Sequence, residues 1–196
     1  MRGKHPRVPD ADADAAESAH VPEVDPFGWK PTMTPEEADA WLIATGSKIR
    51  TPLFHGTAPW RAANIMRDGF RTRPTKAEMV NKQLYGQGAY LTDSDAYAHK
   101  YAGALDEGLL ETRVALTHPA SLAETHDLLK KVKARNLPNA QFASAVREEA
   151  ERQGFDGLRV EFWEPSMGQN APAATSWIVF DPHKIVVVRK HKAMAA

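Results

Sequence analysis

Apolar side chains are spread unevenly along the chain, and the unevenness divides it. From Met1 to about Lys30 the chain is rich in Pro, Asp, Ala and Glu, with few large apolar side chains. Such a stretch buries too little surface to offset its ordering entropy, so residues 1–32 read as a disordered arm or linker and residues 33–196 as one folded domain. Order is expected to start at Thr34-Pro-Glu-Glu37. There Thr34 can cap a helix, Pro35 suits its first position and Glu37 closes a capping box. Trp41 and Leu42 give that helix an apolar side, and Gly46 a stop.

The pattern then predicts a short strand over 52–56 and a helix over 59–66 ended by Gly69. The polar stretch 71–85 reads as a loop. Residues 88–92 look like a buried strand, after which Ser94 caps a helix with Tyr97, Ala98 and Tyr101 on one face. A strand over 109–116, helices over 124–132 and 140–153, and strands over 157–162, 176–180 and 185–189 complete the chain. Asp181-Pro182 turns between the last two. This order is no regular βαβ alternation. It predicts an α+β fold with a mixed, largely antiparallel sheet and flanking helices.

Composition narrows the chemistry. The formal net charge is +0, from 25 bases and 25 acids, so no global field draws nucleic acid or anionic lipid. The absence of cysteine excludes disulfides, thiol nucleophiles and thiolate metal sites. The 8 histidines are scattered, none at ligand spacing, and no metal is expected. Gly86-Gln-Gly88 suggests a dinucleotide loop, but it precedes a strand and position 91 is Leu. No Gly-x-Ser-x-Gly elbow anchors a hydrolase triad. No apolar run spans a bilayer and Met1-Arg-Gly-Lys-His lacks the apolar stretch of a signal peptide. A cytoplasmic monomer without membrane partners is the expectation, with delivery into another cell or by a phage left open. An Ala-, Arg- and Trp-rich chain without cysteine hints at a bacterial or phage source.

Three segments stand out together: Phe54-His55-Gly56-Thr57, Gly86-Gln-Gly-Ala-Tyr90-Leu-Thr-Asp-Ser94 and Ala98-His-Lys-Tyr101. Singly, each is an ordinary strand end, turn or helix face. In this order and spacing they resemble the ADP-ribosyltransferase superfamily, in particular its diphtheria-toxin-like branch with the poly(ADP-ribose) polymerases. That branch opens on a strand ending His-Gly-Ser/Thr, continues with Gly-x-Gly-Ile-Tyr-Phe, and follows with a helix bearing a second tyrosine. Ile65 to Phe70 resembles the helix between the first two motifs, and Trp177-Ile-Val-Phe-Asp-Pro the third-motif strand. The resemblance covers about Pro52 to Arg189 and implies the split sheet of that fold.

It also implies roles. NAD would be the substrate, His55 bonding its adenosine ribose and the Gly56 backbone its carboxamide. Thr57 would line the same site, and Tyr90 and Tyr101 would sandwich the nicotinamide ring. Arg71 and Arg73 could reach the pyrophosphate. Two positions depart from the family pattern. Ala98 stands where a serine commonly bonds the nicotinamide amide, and Ser176 stands where the catalytic glutamate begins the third-motif strand. Glu161 and Glu164 are the candidate replacement carboxylates, although Arg159, in phase with Glu161, could pair with it. The expected activity is mono-ADP-ribosyl transfer to an acceptor, with protein foremost and nucleic acid or a small molecule as alternatives. A non-catalytic module binding NAD or ADP-ribose, and an NAD glycohydrolase, remain alternatives.

Overall fold

The computed structural model describes residues 28–72, 85–103, 107–162 and 174–191. Most of the expected arm, most of the loop over 71–85 with Arg73, and Glu164 lie outside the described residues.

Thr34 caps α1 (Pro35–Ala44), with both halves of the capping box formed to Glu37. The chain packs before that helix. Trp29 donates its indole N–H to Ile185 O at 3.1 Å, and Met33, buried, donates its backbone N–H to Val187 O at 3.0 Å. The strands β1 (Leu53–Gly56), β2 (Ala89–Thr92), β3 (Leu109–Val114), β4 (Pro119–Ala120), β5 (Gly157–Phe162), β6 (Ala174–Val179) and β7 (Ile185–Lys190) form one sheet. Its order is β4-β5-β6-β2-β1-β3-β7. All neighbours are antiparallel except β4 and β5. The fold is α+β.

Side-chain alternation assigns each strand two faces. On one, Leu53, Leu91, Leu110 and Val179 pack with Ala62, Ile65 and Met66 of α2 (Pro59–Asp68). On the other, Phe54 and Leu109 meet Ala98 and Ala102, carried by α3 (Asp95–His99) and the turn after it. The same face brings Leu158, Val160 and Ile178 against α4 (Leu122–Lys133) and α5 (Asn139–Arg152). Burying a Leu or Val side chain in these clusters contributes roughly 1.5–3 kcal/mol. Between α4 and α5 the buried Glu149 carboxylate takes Arg152, Lys131, Gln153 and Arg135, which hold it well below the usual carboxylate range.

Three features differ from the reading of the sequence. β4 is a two-residue parallel strand, too short for any periodicity to show. Tyr101 lies beyond α3, in a turn where its N–H donates to Ala98 O at 3.0 Å. β6 begins at Ala174, so Ser176 is its third residue and not its first.

Candidate active site

The joint between β1 and β2 organises the site. These strands pair at one position only, Phe54 with Thr92. Thr57 N–H donates to Gly108 O on the β3 side at 3.0 Å. In an antiparallel ladder, successive residues turn their backbone groups to opposite sides. The N–H and C=O of Gly56 therefore point towards β2, beyond the last paired residue. At the place where the next ladder bond would form, His55 Nδ1–H donates to Tyr90 O at 2.8 Å. The imidazole thus bridges strands that have separated.

That bond sets the proton on Nδ1 in the neutral ring and leaves Nε2 as an acceptor, suited to a hydroxyl. Burial pushes the His55 pKa below its ordinary 6.5, and the Tyr90 carbonyl opposes this in part. Phe70, itself buried, meets the ring edge-on at 5.1 Å. The sign follows from linkage. The folded chain resists protonation there, so the stability that neutral His55 allows is present above 6.5 and lost as pH falls through the lower folded value. Ligand affinity at this site is expected to stay flat from about pH 8 down to its ordinary pKa of 6.5. Calorimetry across that range checks this, and a drop centred near 6.5 would contradict a neutral His55.

Gly56 is held tightly. A Cβ there would lie 1.8 Å from Ala98 O and 3.0 Å from Tyr101 Cβ. Ala98 is buried, and its carbonyl closes on β1, so α3 and the turn after it form one wall of the opening. Tyr101 stands on that wall 54% exposed. Tyr97 braces it edge-on at 5.7 Å, with the two hydroxyls 3.4 Å apart. Tyr90 is held differently. Its ring packs beside the α4 and α5 core. Its hydroxyl donates to Gly86 O at 2.8 Å and accepts Tyr85 N–H at 3.3 Å. Burial raises the phenol pKa far above its usual value, so the hydroxyl stays protonated.

Register places the remaining candidates. Ser176 pairs with Thr92 on one side and Val160 on the other, which puts it on the face of Tyr90. It is 2% exposed. Glu161 leaves β5 from the opposite face, in phase with Arg159, and Arg159 Nη2 lies 3.5 Å from its carboxylate. The guanidinium of Arg159 also sits over Trp177 at 6.0 Å. The structure does not bring Glu161 to the face of Ser176. Thr57 is half-buried at the end of β1, and Arg71 is exposed just after Phe70. By alternation the His55 side chain starts from the α2 face and Tyr90's from the other. They meet only because the imidazole reaches the Tyr90 backbone through the gap.

Two contacts escaped the reading of the sequence. Phe70 seats His55, and its signal was a lone aromatic residue after the helix-ending Gly69, whose φ is 85°. Gly108 lets Thr57 close on β3, since a Cβ there would lie 1.6 Å from Thr57 O. Nothing local marks it. Among the described residues no group of three His, Cys, Asp or Glu side chains could hold a metal ion, and no helix is long and apolar enough to cross a membrane.

No match was found among curated proteins. A family model described as the poly(ADP-ribose) polymerase catalytic domain matches residues 21–191, and the chain belongs to that family of NAD-dependent ADP-ribosyltransferases.

Proposed function

We propose that the chain is a mono-ADP-ribosyltransferase, which moves one ADP-ribose from NAD to an acceptor and releases nicotinamide. The observation that carries this reading is the grouping of Gly56, Tyr90 and Tyr101 at the open joint of β1 and β2, with Ser176 on the Tyr90 face. The Gly56 backbone takes the carboxamide, and the two tyrosine rings grip the flat nicotinamide between them. His55 Nε2 accepts from an adenosine ribose hydroxyl, Thr57 lines the site, and Arg71 faces the pyrophosphate. Ala98 offers the amide no side-chain hydrogen bond, a loss of about 1 kcal/mol.

The bond between nicotinamide nitrogen and ribose C1′ breaks through an oxocarbenium-like transition state. Holding both ends of NAD while that bond lengthens is the work left to these residues. Polymer growth asks more, because a hydroxyl of an ADP-ribose already attached must be polarised for attack. Ser176 carries no charge for that task, which supports single transfer. The same residue favours a second reading, a module that binds NAD without turning it over. Incubation with labelled NAD and a cell extract separates them. Transfer predicts free nicotinamide and acceptors heavier by one ADP-ribose, whereas bound but intact NAD would overturn it.

Tyr101→Ala is expected to weaken NAD binding by about 1–3 kcal/mol, the scale of a lost aromatic contact. Its exposure in the free protein makes the fold indifferent to the change. Unchanged affinity in calorimetry would remove Tyr101 from the site.

A further inference from the structure

Ahead of α1, Trp29 is fixed by residues from the far end of the sequence. Its indole N–H donates to Ile185 O at 3.1 Å, and its ring meets that of His183 edge-on at 4.5 Å. The residues after it are laced to β7. Val187 N–H donates to Pro31 O at 2.9 Å, and Met33 N–H to Val187 O at 3.0 Å. So anchored, the indole covers Gly69. A Cβ on that glycine would lie 3.2 Å from Trp29 Cη2 and 3.3 Å from Cζ2, two atoms on the outer edge of the six-membered ring.

Gly69 is where the chain needs such support. It ends α2 with its N–H on Ile65 O at 2.8 Å and its φ at 85°. Glycine has more backbone freedom than any other residue, so the direction in which the chain leaves α2 is soft unless neighbours hold it. The bond to Ile65 holds one side of Gly69, and the Trp29 indole lies against another. The next residue is the buried Phe70, whose ring meets His55 edge-on at 5.1 Å. His55 Nδ1–H in turn donates to Tyr90 O at 2.8 Å. Direct contacts therefore run from Trp29 through Gly69 and Phe70 to the imidazole. We propose that Trp29 is a positioning residue: by closing over Gly69 it fixes Phe70, and through Phe70 the seat and orientation of His55. The consequence for NAD rests on the reading of His55 as the ribose contact. A tilted ring would misalign Nε2 with the ribose hydroxyl, and hydrogen bonds weaken steeply with angle. Affinity for the adenosine end of NAD is then set in part by a residue outside all three motifs.

Trp29→Phe tests this in the full chain, because it keeps an aromatic ring but lacks the edge over Gly69 and the N–H donor. Exchange of the His55 Nδ1 proton with water is read by NMR, the signal being assigned by its loss in His55→Gln. In Trp29→Phe that exchange is expected to quicken at least about tenfold, as local opening around the ring becomes easier. Trp29→Leu, which also lacks the outer edge, is expected to behave alike. NAD affinity by calorimetry is expected to fall about fivefold in Trp29→Phe, but less than about twofold when the same change is made in His55→Gln, since residues acting through one contact are not additive. Met33→Ala is the control. It loosens the same segment on the side of Trp41 and Val186 and leaves both anchors of the indole in place. It should lower Tm, with proton exchange and NAD affinity within about twofold of wild type. Unchanged exchange in folded Trp29→Phe and Trp29→Leu overturns the proposal, as does equal quickening in Met33→Ala. An equal loss of NAD affinity with and without His55 overturns it too, because Trp29 would then act by another route. If His55→Gln binds NAD as the wild type does, the ribose role of His55 falls, and proton exchange still decides whether Trp29 positions the ring.

Discussion

Gly56→Ala is expected to destabilise the fold by about 3 kcal/mol or more, the upper end for overpacking a well-packed position. The added Cβ would lie 1.8 Å from Ala98 O, a backbone atom that cannot swing aside as a side chain would. Relief requires α3 to retreat from β1, which opens the small core of Ala98, Ala102, Leu109 and Phe54. For a chain of this size that loss lowers Tm by roughly 6–12 °C. Gly46→Ala is the matched control. Its φ of 68° makes alanine unfavourable, yet nothing lies within 4 Å of the added carbon. Its cost is expected at about 1 kcal/mol, that of a single residue in the left-handed region. Thermal melts compare the two, and a Tm for Gly56→Ala within about 2 °C of wild type would mean that α3 does not press on β1. The glycine of the His-Gly-Thr motif thus has a packing role of its own, and loss of activity in this variant cannot by itself assign the carboxamide contact.

What could be read from the chain was what local chemistry determines. Thr34 and Glu37 form their box because both partners lie within one turn. Ser94 caps α3 through a bond to Tyr97 N–H for the same reason. Strand content was legible from β-branched and aromatic runs, and the α+β class from their order. Pairing was not. The short span of β4 carries no period, and its partner β5 lies far along the chain. Trp29 read as part of a polar arm because its contacts, Ile185 and His183, come from the other end of the sequence. The motif residues were legible by order and spacing, yet their relation was not. That His55 and Tyr90 start from opposite faces and meet across a separated ladder depends on the single β1–β2 pair. Glu161 shows the same limit. Alternation within β5 put it in phase with Arg159, but only the pairing of Val160 with Ser176 tells which face belongs to the tyrosines.

That pairing makes Ser176 the position where charge would matter most. Ser176→Glu is expected to raise nicotinamide release at least about tenfold, or about 1.4 kcal/mol off the barrier, because a carboxylate there would meet the cationic ribose as it forms. The carboxylates described nearby do not already supply this. Glu161 points from the other face and lies 3.5 Å from Arg159, and Asp93 accepts the Thr175 N–H. Glu161→Gln therefore serves as the control, with release within about twofold of wild type, since an exposed ion pair contributes little. A cost accompanies the gain. Ser176 is 2% exposed, and a carboxylate in so enclosed a place loses hydration, so the free variant should melt below the wild type and regain stability when NAD is added. Release of nicotinamide and the Tm shift with NAD are read on the same samples. No gain in a variant that folds and is stabilised by NAD would replace the transferase reading with the binding module. A tenfold loss in Glu161→Gln would instead make Glu161 the working carboxylate and require β5 to present it through the sheet joint.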